Sequence, residues 1–168
     1  MNSLFDFIVE PCGQRYNNEV KVGDTSLIIN TELDSYKSVN NIGKVISTPL
    51  AYKTSIKPGD LVMIHHNVFR RFYDIKGKEK NSRAYFKNNL YFVQLDQIYL
   101  YKKNNKWQSF GDRCFIAPIK NNDEINASLE QSLIGILKYG NNSLEALGIT
   151  EGDLVGYKPF GEYDFVVE

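Results

Sequence analysis

His65 and His66 are the only histidines in the chain, and they are adjacent. A metal site needs ligands that converge on one point, whereas neighbouring residues of a strand project to opposite faces. Cys12 and Cys114 lie far apart, and neither belongs to a CxxC pair. Their plain reading is two reduced structural thiols in a cytosolic protein. The GxSxG, HExxH, P-loop and GxGxxG patterns, which place a nucleophile, a zinc ion or a phosphate, are all absent. The residue types therefore point to no catalytic residue, no metal and no cofactor, and the expectation is a protein that is not an enzyme.

Two stretches could support binding instead. Residues 68–87 contain Arg70, Arg71, Lys76, Lys78, Lys80, Arg83 and Lys87, interleaved with Phe69, Phe72, Tyr73, Tyr85 and Phe86. Such a mixture can stack bases and neutralise phosphates. It is equally the composition of a hairpin with a solvated tip over 74–81, where Asp74 and Glu79 interrupt the basic run. The 20 basic and 20 acidic residues of the chain cancel, which argues against nucleic acid as a partner. The second stretch is Leu27, Ile28 and Ile29, three adjacent aliphatics between Gly23-Asp24 and a polar run that reaches Asn41. Aliphatics in such a setting are costly to expose unless something covers them. They are either a docking element or an ordinary core strand paired with Ser38–Ile42.

The elements that must position these residues are strands. Aromatics are 13% of the 168 residues, with 11 Tyr and 10 Phe, a composition that favours sheet. Leu90 to Tyr101 reads as two short strands broken near Gln94-Leu95-Asp96. Helical signal is confined to Asn126–Ser132 and Ser143–Leu147. No apolar run reaches the ~20 residues of a membrane span, and Met1–Asp6 lacks the basic and apolar regions of a signal peptide. A soluble cytoplasmic protein is expected.

One pattern occurs twice. Ile56-Lys57-Pro58-Gly59-Asp60-Leu61-Val62 matches Ile149-Thr150-Glu151-Gly152-Asp153-Leu154-Val155 at Ile, Gly, Asp, Leu and Val. Ile42–Ile46 precedes the first copy and Ile134–Lys138 the second. Phe7-Ile8-Val9-Glu10-Pro11 and Phe115-Ile116-Ala117-Pro118-Ile119 open the two sets. The order implies an internal duplication, with domains at 1–104 and 105–168 and a linker near Asn104-Asn105-Lys106. Gly-Asp makes the tight turn before each Leu-Val strand, so Val62 and Val155 are both expected in cores. Trp107 and Phe110 flank the linker and are expected to pack between the units.

The series Phe7–Pro11, Val22–Asn41, Gly43–Pro49, Ile56–Ile64 and Leu90–Leu100 resembles the GroES-type co-chaperonins, and the second set resembles them from Cys114 onward. The resemblance implies an all-β chain of two tandem small GroES-like β-barrels. By repeat alignment the second lacks its closing strands, so it is either truncated or completed by another subunit. The resemblance also implies a ring-forming homo-oligomer that caps an ATP-driven chaperonin through a mobile loop, with Leu27, Ile28 and Ile29 as the docking tripeptide. Three such side chains in a groove would contribute about 3–6 kcal/mol, less the cost of ordering the loop. Two features depart from the family: the short stretch from Ile46 to Ile56 leaves no room for a roof hairpin, and the insertion 68–87 has no counterpart. A non-catalytic structural module, for example of a viral particle, would reuse the same barrel, and an AT-rich bacterial or phage source would suit the composition.

Overall fold

The computed structural model describes residues 2–16, 19–22, 25–28, 38–120 and 130–159. The chain divides into two compact units, Met1–Trp107 and Gln108–Glu168. Both are built of strands, and no described helix is long and apolar enough to cross a membrane.

Unit 1 holds β1 (Phe7–Pro11), β2 (Glu19–Val22), β3 (Thr25–Ile28), β4 (Ile42–Ser47), β5 (Leu61–Ile64), β6 (Arg71–Tyr73), β7 (Glu79–Asn81), β8 (Tyr85–Lys87), β9 (Leu90–Val93) and β10 (Ile98–Lys103). With β11 (Lys106–Ser109), seven of them form one sheet in the order β11-β10-β5-β4-β1-β9-β8. The sheet is open, with β8 and β11 at its edges. The all-β class is therefore observed, while among the described residues no sheet closes into a barrel. β2–β3 and β6–β7 are separate two-stranded ribbons.

The sequence explains this arrangement locally. β4 alternates, burying Val45 and Ser47 and exposing Lys44 and Ile46, the period of a strand with one wet face. β5 is apolar throughout, and Val62, Met63 and Ile64 are all fully buried. Phe7, Val9, Phe69, Tyr91 and Leu100 share this core, and the four aliphatic and Phe side chains each contribute about 1.5–3 kcal/mol by burial. The break at Leu95–Gln97 is a single 3-10 turn between β9 and β10. Asn104 and Asn105 are a hairpin turn joining β10 to β11, with φ of 50° and 62°, and not a linker. Asn88 and Asn89 do the same between β8 and β9 (φ 49° and 62°). A two-residue hairpin of the type I′ form needs φ > 0 at both positions, and Asn tolerates it. Trp107 lies in β11, 9% exposed, with the Lys102 ammonium 5.7 Å from its ring.

Unit 2 holds β12 (Phe115–Lys120), β13 (Glu130–Tyr139), the one-turn helix α1 (Asn142–Ala146) and β14 (Leu154–Gly156). Asn141 caps α1, its Oδ1 accepting from Leu144 N at 2.9 Å. Of the two expected helical stretches, the second is α1. In the first, residues 130–132 belong to β13 and 126–129 lie outside the described residues.

The three strands of unit 2 repeat β1, β4 and β5 of unit 1, pair by pair. Ile8↔Ser47, Val9↔Val45, Glu10↔Lys44 and Pro11↔Gly43 correspond to Phe115↔Tyr139, Ile116↔Leu137, Ala117↔Ile136 and Pro118↔Gly135. A bulge separates the first two pairs in each. Across the next interface, Ile42↔Met63, Gly43↔Val62 and Lys44↔Leu61 correspond to Ile134↔Gly156, Gly135↔Val155 and Ile136↔Leu154. The Gly-Asp turns also coincide. Gly59 N donates to Val45 O (2.7 Å) and Val45 N to Asp60 O (2.9 Å); Gly152 N donates to Leu137 O (2.8 Å) and Leu137 N to Asp153 O (2.9 Å). Gly59 and Gly152 have φ of +96° and +100°, which only glycine adopts without strain. Asp60 and Asp153 each accept the N–H three residues back, at 2.8 and 2.7 Å.

This register corrects the sequence alignment by one residue. Pro118, not Ile119, stands at the place of Pro11, and Phe115 at the place of Ile8 rather than Phe7. Proline decides it, because a residue with no N–H suits the position whose nitrogen faces away from the paired strand. The next residue, Cys12, donates its N–H back to Ile42 at 3.0 Å. A second expectation also fails: Val62 is fully buried, whereas Val155 is only half-buried. In unit 1, β10 lies beyond β5 with Tyr101 opposite Val62. Among the described residues no strand lies beyond β14.

Candidate docking surfaces

Leu27 and Ile28 stand on the ribbon β2–β3, with Val20↔Leu27 and Glu19↔Ile28 as pairs. Ile29 lies outside the described residues. The ribbon has no partner in the seven-stranded sheet among the described residues. β3 thus does not pair with Ser38–Ile42, which is engaged elsewhere. Ile42 pairs with Met63, and Val39 bridges to Tyr16. That bridge closes the root of the arm. Asn40 N donates to Arg15 O (2.9 Å), and the Asn40 amide donates to Cys12 O (2.7 Å) and Gln14 O (2.9 Å). Its Oδ1 accepts from Ile42 N. Asn40 is 6% exposed. A buried amide is retained only when satisfied, and here it holds the two feet of the arm together.

The basic stretch forms a second arm. β6 and β7 pair as Arg71↔Asn81, Phe72↔Lys80 and Tyr73↔Glu79, and Asp74 organises the tip. Its Oδ1 accepts from Lys76 N and Lys78 N, both at 2.9 Å, and Gly77 takes φ +71°. The solvated hairpin is therefore the observed conformation of this stretch. Arg71 pairs with Glu79 at 3.3 Å, and Lys80 approaches Asp74 at 3.9 Å. Exposed pairs of this kind contribute little to stability. Phe72 is 45% exposed, Tyr73 53%, and Ile75 fully exposed.

The two arms share a root. The Arg15 guanidinium donates to Phe69 O at 3.0 and 2.7 Å, to Arg70 O at 3.3 Å and to Asn81 Oδ1 at 2.7 Å. Burial, the largest influence, lowers its pKa. The Tyr16 hydroxyl accepts from Arg71 N at 2.6 Å, and the Arg71 guanidinium lies 4.6 Å from the Tyr16 ring. Neither Arg15 nor Tyr16 stands out in the sequence, since the partners they join lie more than 50 residues away.

The histidines are not on a strand. β5 ends at Ile64, and His66 opens a 3-10 turn to Val68. The two rings therefore stack, with centroids 4.4 Å apart, rather than pointing to opposite faces. His65 Nδ1 accepts from Asn67 N at 3.1 Å. Burial, then His65 and Arg70, brings the His66 pKa down to about 4. Burial also raises the Cys12 pKa, which makes it a weaker nucleophile. Among the described residues no three His, Cys, Asp or Glu side chains are grouped to hold a metal ion. Compared with protein-family models, curated proteins and solved structures, the chain matches none.

Proposed function

We propose that this chain is a co-chaperonin-like lid protein: two GroES-like modules in tandem, without catalysis, that dock on an ATP-driven chaperonin through the β2–β3 arm. The observation that carries this reading is the arm itself. It carries Leu27 and Ile28 on a ribbon that is not part of the seven-stranded sheet among the described residues, with a root held by the Tyr16–Val39 bridge and by Asn40. A lid must bind and release, so a small apolar contact of modest affinity suits it. The pair-by-pair repeat supports the tandem reading, because each copy presents the same three strands and the same Gly-Asp turn.

The test is the triple change Leu27→Ser, Ile28→Ser, Ile29→Ser. The expected outcome is an unchanged melting temperature and about 100-fold or more weaker capture by a GroEL-type chaperonin in the presence of ATP, which corresponds to ~3 kcal/mol. Unfolding of the variant would make these residues core. Undiminished capture would move the contact elsewhere. If the unaltered protein binds no chaperonin, the alternative of a structural assembly module prevails.

A further inference from the structure

Neither face of the β6–β7 arm is buried. Successive strand residues project to opposite faces, so Phe72 and Tyr73 mark the two sides of the ribbon, and both are exposed. Lys80, directly opposite Phe72, and Glu79, opposite Tyr73, are exposed as well. At the apex, Gly77 N donates to Asp74 O at 2.9 Å, which puts Ile75 and Lys76 at the two corners of the turn. Ile75 is fully exposed there. The foot of the arm is fixed by contrast. Arg15 and Tyr16 hold it on one side, and Ser82 Oγ donates to Val68 O at 2.5 Å on the other. A fixed foot lowers the ordering cost of any contact made by the tip.

The neutrality of the whole chain hides a local excess of cations. Met1–Trp107 holds 16 Lys and Arg against 10 Asp and Glu, and residues 70–83 hold six basic and two acidic side chains. Both acids are engaged within the arm, Glu79 with Arg71 and Asp74 with the tip amides and Lys80. Lys76, Lys78 and Arg83 are exposed and form no ion pair among the described residues. Cations without partners stand at the apex and beside an exposed ring, and apolar surface is open on both faces. An occupant that satisfies all of these is anionic and encloses the ribbon.

A groove of duplex DNA has that form. The major groove is about 12 Å wide and about 8.5 Å deep, and it admits a two-stranded ribbon. The chain from Arg71 to Ile75 rises about 13 Å at ~3.3 Å per residue, enough to reach the groove floor. Other polyanions fit less well. The major groove of an RNA duplex is too narrow for side chains to read. A single strand would cover one face of the ribbon and leave the ring on the other bare. An anionic lipid surface would take the apex first, and the apex carries Lys76 beside Ile75. We infer that the β6–β7 arm is a contact for duplex DNA, which it enters tip first through the major groove. Lys76, Lys78 and Lys80 meet phosphates on the groove walls, and Ile75 meets the base edges. Phosphate contacts dominate, so binding carries little sequence preference. This contact does not depend on the lid reading.

The experiment is fluorescence anisotropy of a labelled DNA duplex of about 20 base pairs, titrated with the full chain from about 50 to about 500 mM salt. Binding should be saturable and micromolar at the low-salt end. Its Kd should rise with salt at a log–log slope of about 3, near 0.9 for each phosphate neutralised. Lys76→Glu/Lys78→Glu should weaken binding at least ~30-fold and lower the slope by about 2. Lys53→Glu/Lys57→Glu makes the same charge change at exposed positions outside the arm and should stay within about twofold of the parent. Ile75→Ser should weaken binding about fivefold and leave the slope unchanged, since it removes apolar contact only. Thermal melts check that these exposed substitutions leave the fold intact. An arm variant that binds like the parent would overturn the proposal. So would a Lys53/Lys57 variant that loses as much as the arm variant, or a parent chain that shows no saturable binding at low salt. Tighter binding of a single strand of equal length, of an RNA duplex or of phosphatidylserine vesicles would overturn it too, and would reassign the arm to that ligand. Leu27 and Ile28 are untouched by these variants, so failure here leaves the chaperonin test standing, and the reverse also holds.

Discussion

His66 shows how one residue's surroundings set a property that its type does not. An isolated imidazole titrates near 6.5, whereas here burial, the stacked His65 ring and Arg70 hold the pKa near 4. His65 is lowered too, chiefly by burial. For such groups the unfolded chain binds protons more readily than the folded one. The contribution of His66 is therefore fully present above about pH 6.5 and is lost as pH falls through about 4. The melting temperature should decline over this window, and His66→Gln should make the decline shallower. A variant with the same pH profile as the parent would show that other groups govern acid unfolding.

At the scale of elements, the close approach of β4 to β1, and of β13 to β12, depends on two glycines. A Cβ at Gly43 would lie 2.3 Å from Val9 Cγ1, and one at Gly135 would lie 2.3 Å from Ile116 Cγ2 and 2.6 Å from Ala117 O. The side-chain clash can be eased by rotation, but the carbonyl clash requires the strands to part. Gly43→Ala and Gly135→Ala should both destabilise by about 1–3 kcal/mol, as overpacking does. Gly135→Ala should in addition disturb the β12–β13 pairing. Chemical denaturation of the two variants, with amide shifts of β12 as the local readout, checks this. Equal stability of parent and variants would mean that the strands separate at little cost.

For the molecule as a whole, the two copies of one motif have very different surroundings. In unit 1 the repeated strands are flanked by β9 and β10 and share a large core. In unit 2, Leu137 is the single described apolar side chain that is buried. Local stability follows buried apolar contact. Amides of β13 and β14 should therefore exchange with solvent at least ~100-fold faster than those of β4 and β5 at low protein concentration. Equal protection of both sheets in the dilute chain would contradict this account.

Much of the framework was legible because it rests on local chemistry. The Gly-Asp turns follow from glycine's freedom at positive φ, the all-β class from alternation and composition, and the 3-10 break at Leu95–Gln97 from its polar interruption between apolar strands. The repeat was visible in residues and was then refined by one position, since only the pairing shows which way the nitrogen of Pro118 faces. Other features depend on partners distant in sequence. The stacking of His65 on His66 required β5 to stop at Ile64. The joining of the two arms through Arg15 and Tyr16 required chain segments more than 50 residues apart to meet. Val155 is only half-buried where Val62 is fully buried, and the difference arises from the neighbouring strands, not from the motif repeated around each valine. Residue type and spacing determine which strands and turns can form; burial depends on what the folded chain places next to them.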